Sequence, residues 1–596
     1  MTRRPALFLA PLVAAALAAP VLPALAASPP PPLSTVAERS GFARTGRYDE
    51  VVSLCTDFAA AHPGAVRCIG FGTTPEGRPM KALVASRSGA LTPAAAREAG
   101  LPVLLVQGGI HAGEVDGKDA GFLALREALD GHLAAGALER LVLVFVPVFN
   151  VDGHERFGAW NRPNQRGPEE MGWRTTAQNY NLNRDYVKAD APEMRAMLAL
   201  VEAWDPIAVV DLHATNGAQF EHDISVQIEP LHAGDPELGR LGRALRDGLL
   251  ARLEAQGSLP LPFYPEFEAY DDPASGIADG VAPPRFSHGY FRLRNRFGIL
   301  VETHSWKEYP VRVRITRNLV GAMLEVTARD GSGWLRAAAA ADARAAGLAG
   351  QPVALDWVAT DDVRTVDFRG YAFTRTPSGV SGALMTRYDE STPQLWRMPL
   401  RDTLVPGRQV AAPGAGYVVP AAHAEAVARW LDVHGVQYRR LAAGVPGAPV
   451  AAFRATAMQP AAGSTEGRQR MQLEGEWRPE ARDLPAGSLF VPIAQPRARL
   501  AMAILEPQAP DSMAAWGEFN NAFERKEYME AYVAEAVARD MLRDPAVRRE
   551  FEARLEEDAA FAASAQARLD WFYRRHPSWD ERYGLYPVLR TDAPLP

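Results

Sequence analysis

Residues 102–114 read PVLLVQGGIHAGE: an apolar run from Pro102 to Gln107, then Gly108 and Gly109, then His111 and Glu114. The run is rich in Leu and Val with little polar alternation, the pattern of a strand buried on both faces of a sheet. Three more runs share it: Leu141 to Phe149 (LVLVFVPVF), Ile207 to Leu212 (IAVVDL) and Gly298 to Val301 (GILV). Between them lie amphipathic stretches at helical spacing, Lys118 to Leu138 and Ala191 to Trp204. Strand–helix–strand alternation predicts an α/β fold: a mixed, largely parallel twisted sheet flanked by helices, over about residues 34–330.

Beyond it, Trp334 to Leu348 is Ala-rich and predicts a helix that ends this domain. From Val353 to about Leu500 the text is strand-like, with Gly and Pro punctuation and one helix near Ala422 to His434. From Ser512 to Arg575 it is helical again, and its apolar stretch Met529 to Leu542 reads as core. The expected organisation is therefore a catalytic domain at 34–330, a smaller β-rich or α/β accessory domain at 351–500 and a helical segment at 501–596. The second half contributes composition but no recognisable chemistry.

Residues 1–26 read as a signal peptide: Arg3 and Arg4, an apolar run with three prolines, and the small-x-small triplet Ala24-Leu25-Ala26. The chain is expected to be exported, periplasmic or secreted, with no stable membrane anchor after cleavage. Cys55 and Cys68 then enter an oxidising compartment as either a disulfide or two buried thiols. Two cysteines in 596 residues exclude a disulfide scaffold and a Cys-based zinc finger. A net charge of −7 gives no bulk attraction to nucleic acid or anionic lipid.

The chemistry is concentrated where apolar runs end, which in open α/β sheets is where ligands bind. His111 and Glu114 follow the first run, and Asp211 and His213, on one face by their spacing, end the third. Glu302 follows the fourth, where a buried carboxylate needs a partner or a metal. Two histidines and a glutamate leave a fourth position of a tetrahedral zinc open to water, and a further carboxylate can take that water's proton. Arg174 and the pair Asn183–Arg184 add groups suited to an oxyanion or a carboxylate. Arg162 and Arg166 read as solvated loop charge. The text has no G-x-S-x-G and no H-E-x-x-H.

These motifs, in this order, resemble the zinc carboxypeptidase A/B-like metallopeptidase family. The resemblance begins at Gly72-Thr-Thr-Pro-Glu-Gly77-Arg78-Pro79, passes through Gly109-Ile110-His111-Ala112-Gly113-Glu114 and Asn150-Val151-Asp152-Gly153, and continues at Arg174, Leu182-Asn183-Arg184, Asp211-Leu212-His213 and Val301-Glu302-Thr303. It implies one zinc ion on His111, Glu114 and His213, Glu302 as general base, Arg174 for the oxyanion, and Asn183 and Arg184 for the free carboxylate of a peptide substrate. The implied reaction is release of a C-terminal amino acid.

The departures are specific. Gly113 stands where the family usually has Arg, removing a second-subsite contact. Glu302 is followed by Thr303-His304-Ser305 instead of Leu-Arg, and His304 is spaced to share the face of Glu302. The family's active-site tyrosine has Tyr290 as its best counterpart. Two rival functions are a zinc amidohydrolase or deacylase acting on N-acyl amino acids or cell-wall peptides, which the Asn183–Arg184 pair does not exclude, and an exported peptide-binding protein without catalysis, which predicts a missing ligand or base where neither is missing.

Overall fold

The computed structural model describes residues 1–2 and 33–596; the expected signal peptide lies outside the described residues apart from its first two. Among the described residues, nine strands precede residue 305: β1 (Val66–Thr73), β2 (Pro79–Ala85), β3 (Val103–Gly108), β4 (Val142–Val146), β5 (Ala208–Thr215), β6 (Ile224–Glu229), β7 (Pro260–Leu261), β8 (Ile277–Ala278) and β9 (Phe297–His304). All but β8 form one eight-stranded sheet, ordered β1-β2-β4-β3-β5-β9-β6-β7. The four apolar runs are its centre: β4, β3, β5 and β9 pair in parallel, and every residue of each is buried. Antiparallel β1 and β2 extend one side, and β6 joins β9 antiparallel on the other. The fold is mixed α/β with helices against a mixed sheet, as the sequence predicts.

Side-chain alternation along β5 sorts the two faces. Leu212 abuts Gly117 on helix Asp116–Leu129 so closely that a Cβ there would lie 2.8 Å from it. Asp211 points the other way and accepts from Ser287 Oγ at 2.6 Å, at the start of helix Ser287–Leu293. The site therefore forms on the Ser287 face.

The expected helix at Trp334–Leu348 is the end of a 38-residue helix, Tyr309–Ala346, which runs through position 330 without a break. Its Gly331 sits against Pro102, and Trp334 packs on Phe297 with ring centroids 5.2 Å apart. The hydrophobic core is continuous from Tyr48 to Val588. Strand Leu589–Thr591, near the C-terminus, pairs with Gly416–Val419, so the last segment completes the sheet of the middle one. Ion pairs join these parts to the first: Arg497–Glu202 at 2.7 Å, Arg468–Asp190 at 2.6 Å and Arg285–Asp511 at 2.7 Å.

The helix expected at Met529–Leu542 is observed as Ala531–Met541, but it is peripheral: only Ala534 and Ala538 are buried, and Tyr532 is 76% exposed. Its larger apolar side chains, Tyr532 and Val533, lie on the exposed side instead of forming a buried stripe. Cys55 and Cys68 form a disulfide, linking helix Tyr48–Ala61 to β1. No helix among the described residues is long and apolar enough to cross a membrane.

Candidate metal centre and substrate pocket

The turn after β3 is made by two glycines with different tasks. A Cβ on Gly108 would lie 2.8 Å from the Pro147 carbonyl, so the close approach needs its absence. Gly109 has φ of +62°, which L side chains rarely adopt. The chain then brings His111 and Glu114 back against the end of β5. Glu114 Oε1 lies 3.0 Å from His111 Nδ1, and Oε2 lies 3.0 Å from His213 Nδ1. All three residues are buried, and one donor atom from each lies within 4.8 Å of the others.

The other ring nitrogens are turned away from this point. His111 Nε2 meets Asn181 Oδ1 at 3.1 Å, and Asp211 Oδ2 lies 3.0 Å from His213 Nε2. Both Nδ1 atoms are thereby directed at Glu114, the backing that metal-binding histidines require. The donor set fits one small divalent ion with nitrogen and oxygen preference.

Electrostatics support a charged Glu114. Burial would raise its pKa, but Arg162, His111 and His213 hold it well below the usual carboxylate range. Burial lowers His111 to about 4. His213 goes the other way: against the pull of burial, Asp211, Glu302 and Glu114 hold it well above the ordinary histidine value.

Glu302 is paired in register with His213 on the adjacent strand and is buried with a view of the cavity. Burial pushes it above the usual carboxylate range, with Glu114 and Asp211 adding to the rise and His213 and Arg162 opposing it. Arg174 Nη1 stands 3.7 Å from Glu114 Oε1 and is 38% exposed. Asn183 is buried with Oδ1 unpartnered, and Arg184 stacks on Phe286 at 4.4 Å. With His111 and Glu114, these residues line one cavity of about 400 Å³.

Two motifs prove to be scaffold. Asn150 accepts from the Gly153 amide and donates from Nδ2 to the Arg174 carbonyl at 3.1 Å, fixing the backbone that carries Arg174. Asp152 accepts from Thr74 Oγ1 at 2.7 Å and pairs with Arg78 at 2.6 Å, tying the G-T-T-P-E-G-R-P turn to this one.

Three expectations are corrected. Tyr290 is fully buried away from the cavity, where its Oη meets His434 Nδ1 at 2.9 Å and Arg294 Nη1 at 3.3 Å. The tyrosine at the cavity is Tyr264, whose Oη accepts from Thr215 Oγ1 at 3.2 Å. The ring is exposed overall, but desolvation of its hydroxyl, with Glu302 and Glu114 nearby, raises its pKa. Its loop, LPLPFYPEFE, carries no spacing signal that would have marked it.

His304 does not share the cavity with Glu302; its ring stacks on Phe220 at 4.0 Å with both nitrogens unpartnered. Arg162 is not solvated: it is 6% exposed, 2.8 Å from Glu114 Oε1, and donates to the Ala214 carbonyl and Asn216 Oδ1 at 3.0 and 3.1 Å. Gly113 makes room for it, since a Cβ there would lie 2.6 Å from Arg162 Cγ. A guanidinium thus reaches the Glu114 carboxylate from a residue 48 positions along the chain. Arg166 is half-buried, paired with Glu390 at 2.5 Å.

Residues 51–244 match the family model Peptidase_M14, described as zinc carboxypeptidase. The matched stretch is a domain of the zinc carboxypeptidase type, M14, and it carries the His–Glu–His set that could hold a metal ion. The matched stretch includes His111, Glu114, Arg174, Asn183, Arg184 and His213, and ends before Glu302.

Similar solved structures include a metallo-carboxypeptidase from Burkholderia cenocepacia, 16% identical over 46% of this chain and 69% of that one, TM-score 0.34. A carboxypeptidase A from Helicoverpa armigera is 15% identical over 50% and 75%, TM-score 0.34. A metallo-carboxypeptidase from Pseudomonas aeruginosa, in complex with (2-guanidinoethylmercapto)succinic acid, is 17% identical over 47% and 68%, TM-score 0.33. No curated protein matches the chain.

Proposed function

We propose that this protein is an exported zinc-dependent carboxypeptidase that removes the C-terminal residue of peptides. The observation that carries the proposal is the convergence of two chemistries on one cavity. A His–Glu–His donor set and a carboxylate stand at one end, and Arg174, Asn183 and Arg184 line the same space. The Cys55–Cys68 disulfide supports export to an oxidising compartment.

His111, Glu114 and His213 hold the ion, which when bound supplies Lewis acidity and lowers the pKa of water toward neutrality. Arg184 and Asn183 receive the substrate's free carboxylate by charge-assisted hydrogen bonds, so that only a chain end is accommodated. Glu302 takes a proton from the attacking water and returns it to the leaving amine. Arg174 stabilises the charge that develops on the scissile carbonyl oxygen. Arg162 keeps Glu114 oriented and charged.

The test is mass spectrometry of a mixed peptide pool incubated with the zinc-loaded protein, with and without chelator. Products shortened by one C-terminal residue, absent after chelation, are expected. An unchanged pool with zinc bound would overturn the carboxypeptidase reading and direct attention to N-acyl amino acids and cell-wall peptides.

A further inference from the structure

The hairpin Arg364–Pro377 / Leu384–Arg401 lies in the half of the chain whose sequence carries no recognisable chemistry, and it contributes no residue to the cavity lining. Its neighbours do. The segment 262–283 lines the cavity at both ends, with Pro262, Tyr264 and Glu266 at one and Ala278 to Pro283 at the other. The stretch between these ends holds a three-residue turn of 3-10 helix and the two residues of β8. Its internal pairing is a single antiparallel bridge, Phe267 beside Ile277, with the Glu268 amide donating to the Gly276 carbonyl at 3.0 Å and the Ala269 amide to Ser275 Oγ at 3.0 Å, which closes the segment on itself but does not tie it to the sheet.

Its start is held by the main sheet, where Ser225 Oγ donates to the Phe263 carbonyl at 2.6 Å, and its middle is held by the hairpin. β8 adds to the strand Leu384–Arg401 in parallel, Ile277 beside Leu400 and Ala278 beside Arg401. The Asp279 amide donates to the Arg401 carbonyl at 2.8 Å. The Thr386 amide donates to Asp271 Oδ2 at 2.8 Å, Arg375 pairs with Asp272 at 2.5 Å, and Arg401 pairs with Glu268. Gly276 faces Pro399 so closely that a Cβ would lie 2.4 Å from its carbonyl oxygen.

The hairpin is itself anchored to the chain that follows β5. The Glu221 amide donates to the Arg369 carbonyl at 2.9 Å, the Arg369 amide donates to His222 Nε2 at 3.2 Å, and Phe368 packs on Phe220. The contact between Thr215 and Tyr264 closes the circuit: β5, its following loop, the hairpin, the wall segment, and β5 again.

We propose that the hairpin 364–401 is a brace for the substrate pocket, with Arg375 and Thr386 as positioning residues that hold the 262–283 wall and its Tyr264 against the metal-binding end of β5. A wall held in place before substrate arrives lowers the ordering cost of binding, so the brace acts on KM more than on the chemical step. The proposal uses the carboxypeptidase reading only to choose an assay.

The test compares wild type with Arg375→Ala, the double variant Arg375→Ala/Thr386→Val, and Arg375→Lys. All lie outside the cavity, and Arg375 is half-exposed. Loss of one such ion pair costs little, so KM is expected to rise about three-fold in Arg375→Ala and about ten-fold in the double variant. Arg375→Lys should stay near wild type. Bound zinc, Tm and kcat should hold in all three. Hydrogen exchange at 264–281 should quicken in the alanine variants, a readout that needs no substrate. Unchanged KM, or unchanged exchange in that segment, overturns the proposal. So does a joint fall of Tm, zinc and kcat at constant KM, which marks general stability only. Wild-type protein that cleaves no peptide defeats the carboxypeptidase reading, while the exchange comparison still decides on the brace.

Discussion

Strands β5 and β9 and the hairpin 364–401 are built on opposite plans. Every residue of β5 and β9 is buried, and their ends place His213 beside Glu302. The hairpin strands are largely exposed, with few buried residues, and place no side chain in the cavity. On the carboxypeptidase reading, function in the first region rests on the identity of a few side chains, each held by a dedicated partner, and in the second on pairing along a backbone. Substitutions in the two regions should therefore differ in kind, with loss of chemistry or metal in one and loss of substrate affinity in the other.

The largest effect expected is at Glu302. Glu302→Gln keeps the shape but not the base, and kcat should fall by about 10³-fold or more while zinc remains bound. Retained turnover measured on a single peptide would remove Glu302 from the mechanism. Next comes Arg162, whose guanidinium holds Glu114. Arg162→Ala should weaken zinc binding by about 10–100-fold, read by competition with a chromophoric chelator. Wild-type affinity would make Arg162 a packing residue only.

The two tyrosines sharpen the contrast. Tyr264→Phe should change KM or kcat several-fold with little change in Tm. Tyr290→Phe should leave both kinetic constants within about two-fold and cost about 1 kcal/mol of stability from its lost hydrogen bonds. The reverse pattern would restore Tyr290 to the site.

The smallest effect concerns pH. Burial lowers His434 to about 4, and its Nε2 donates to the Val187 carbonyl while Nδ1 faces Tyr290. The unfolded chain takes this proton near 6.5, so the stability His434 contributes is complete above pH 6.5 and is lost as pH falls toward 4. His154, His222 and His288, also lowered to about 4, act in the same direction. His434→Gln should flatten the decline of Tm between pH 6.5 and 4; an unchanged slope would show that His434 does not titrate in unfolding.

The central strands were legible because burial on both faces leaves continuous apolar text, and their ends were legible because polar residues there interrupt it. β1 and β6 were not, since β1 is partly exposed and β6 carries Ser225, Gln227 and Glu229 at alternate positions. Asn183 and Arg184 could be read because they stand side by side. Arg162 could not, because nothing local distinguishes a guanidinium that crosses to Glu114 from one in water. Tyr290 misled for a related reason: an aromatic near a strand was available, and only packing against His434 and Arg294 shows that it is core. The hairpin's part was invisible because backbone pairing leaves little trace in residue identity.

The helix Tyr309–Ala346 has a practical meaning for anyone wishing to shorten this protein. A chain ended at residue 330 would keep every motif residue yet lose Trp334, whose ring covers Phe297, the first residue of the strand that ends in Glu302–Thr303–His304. It would also lose Ala338, Ala341 and Ala345 from the buried side of the same helix. The smallest unit that holds the catalytic strand in register is therefore longer than the smallest unit that contains its motifs.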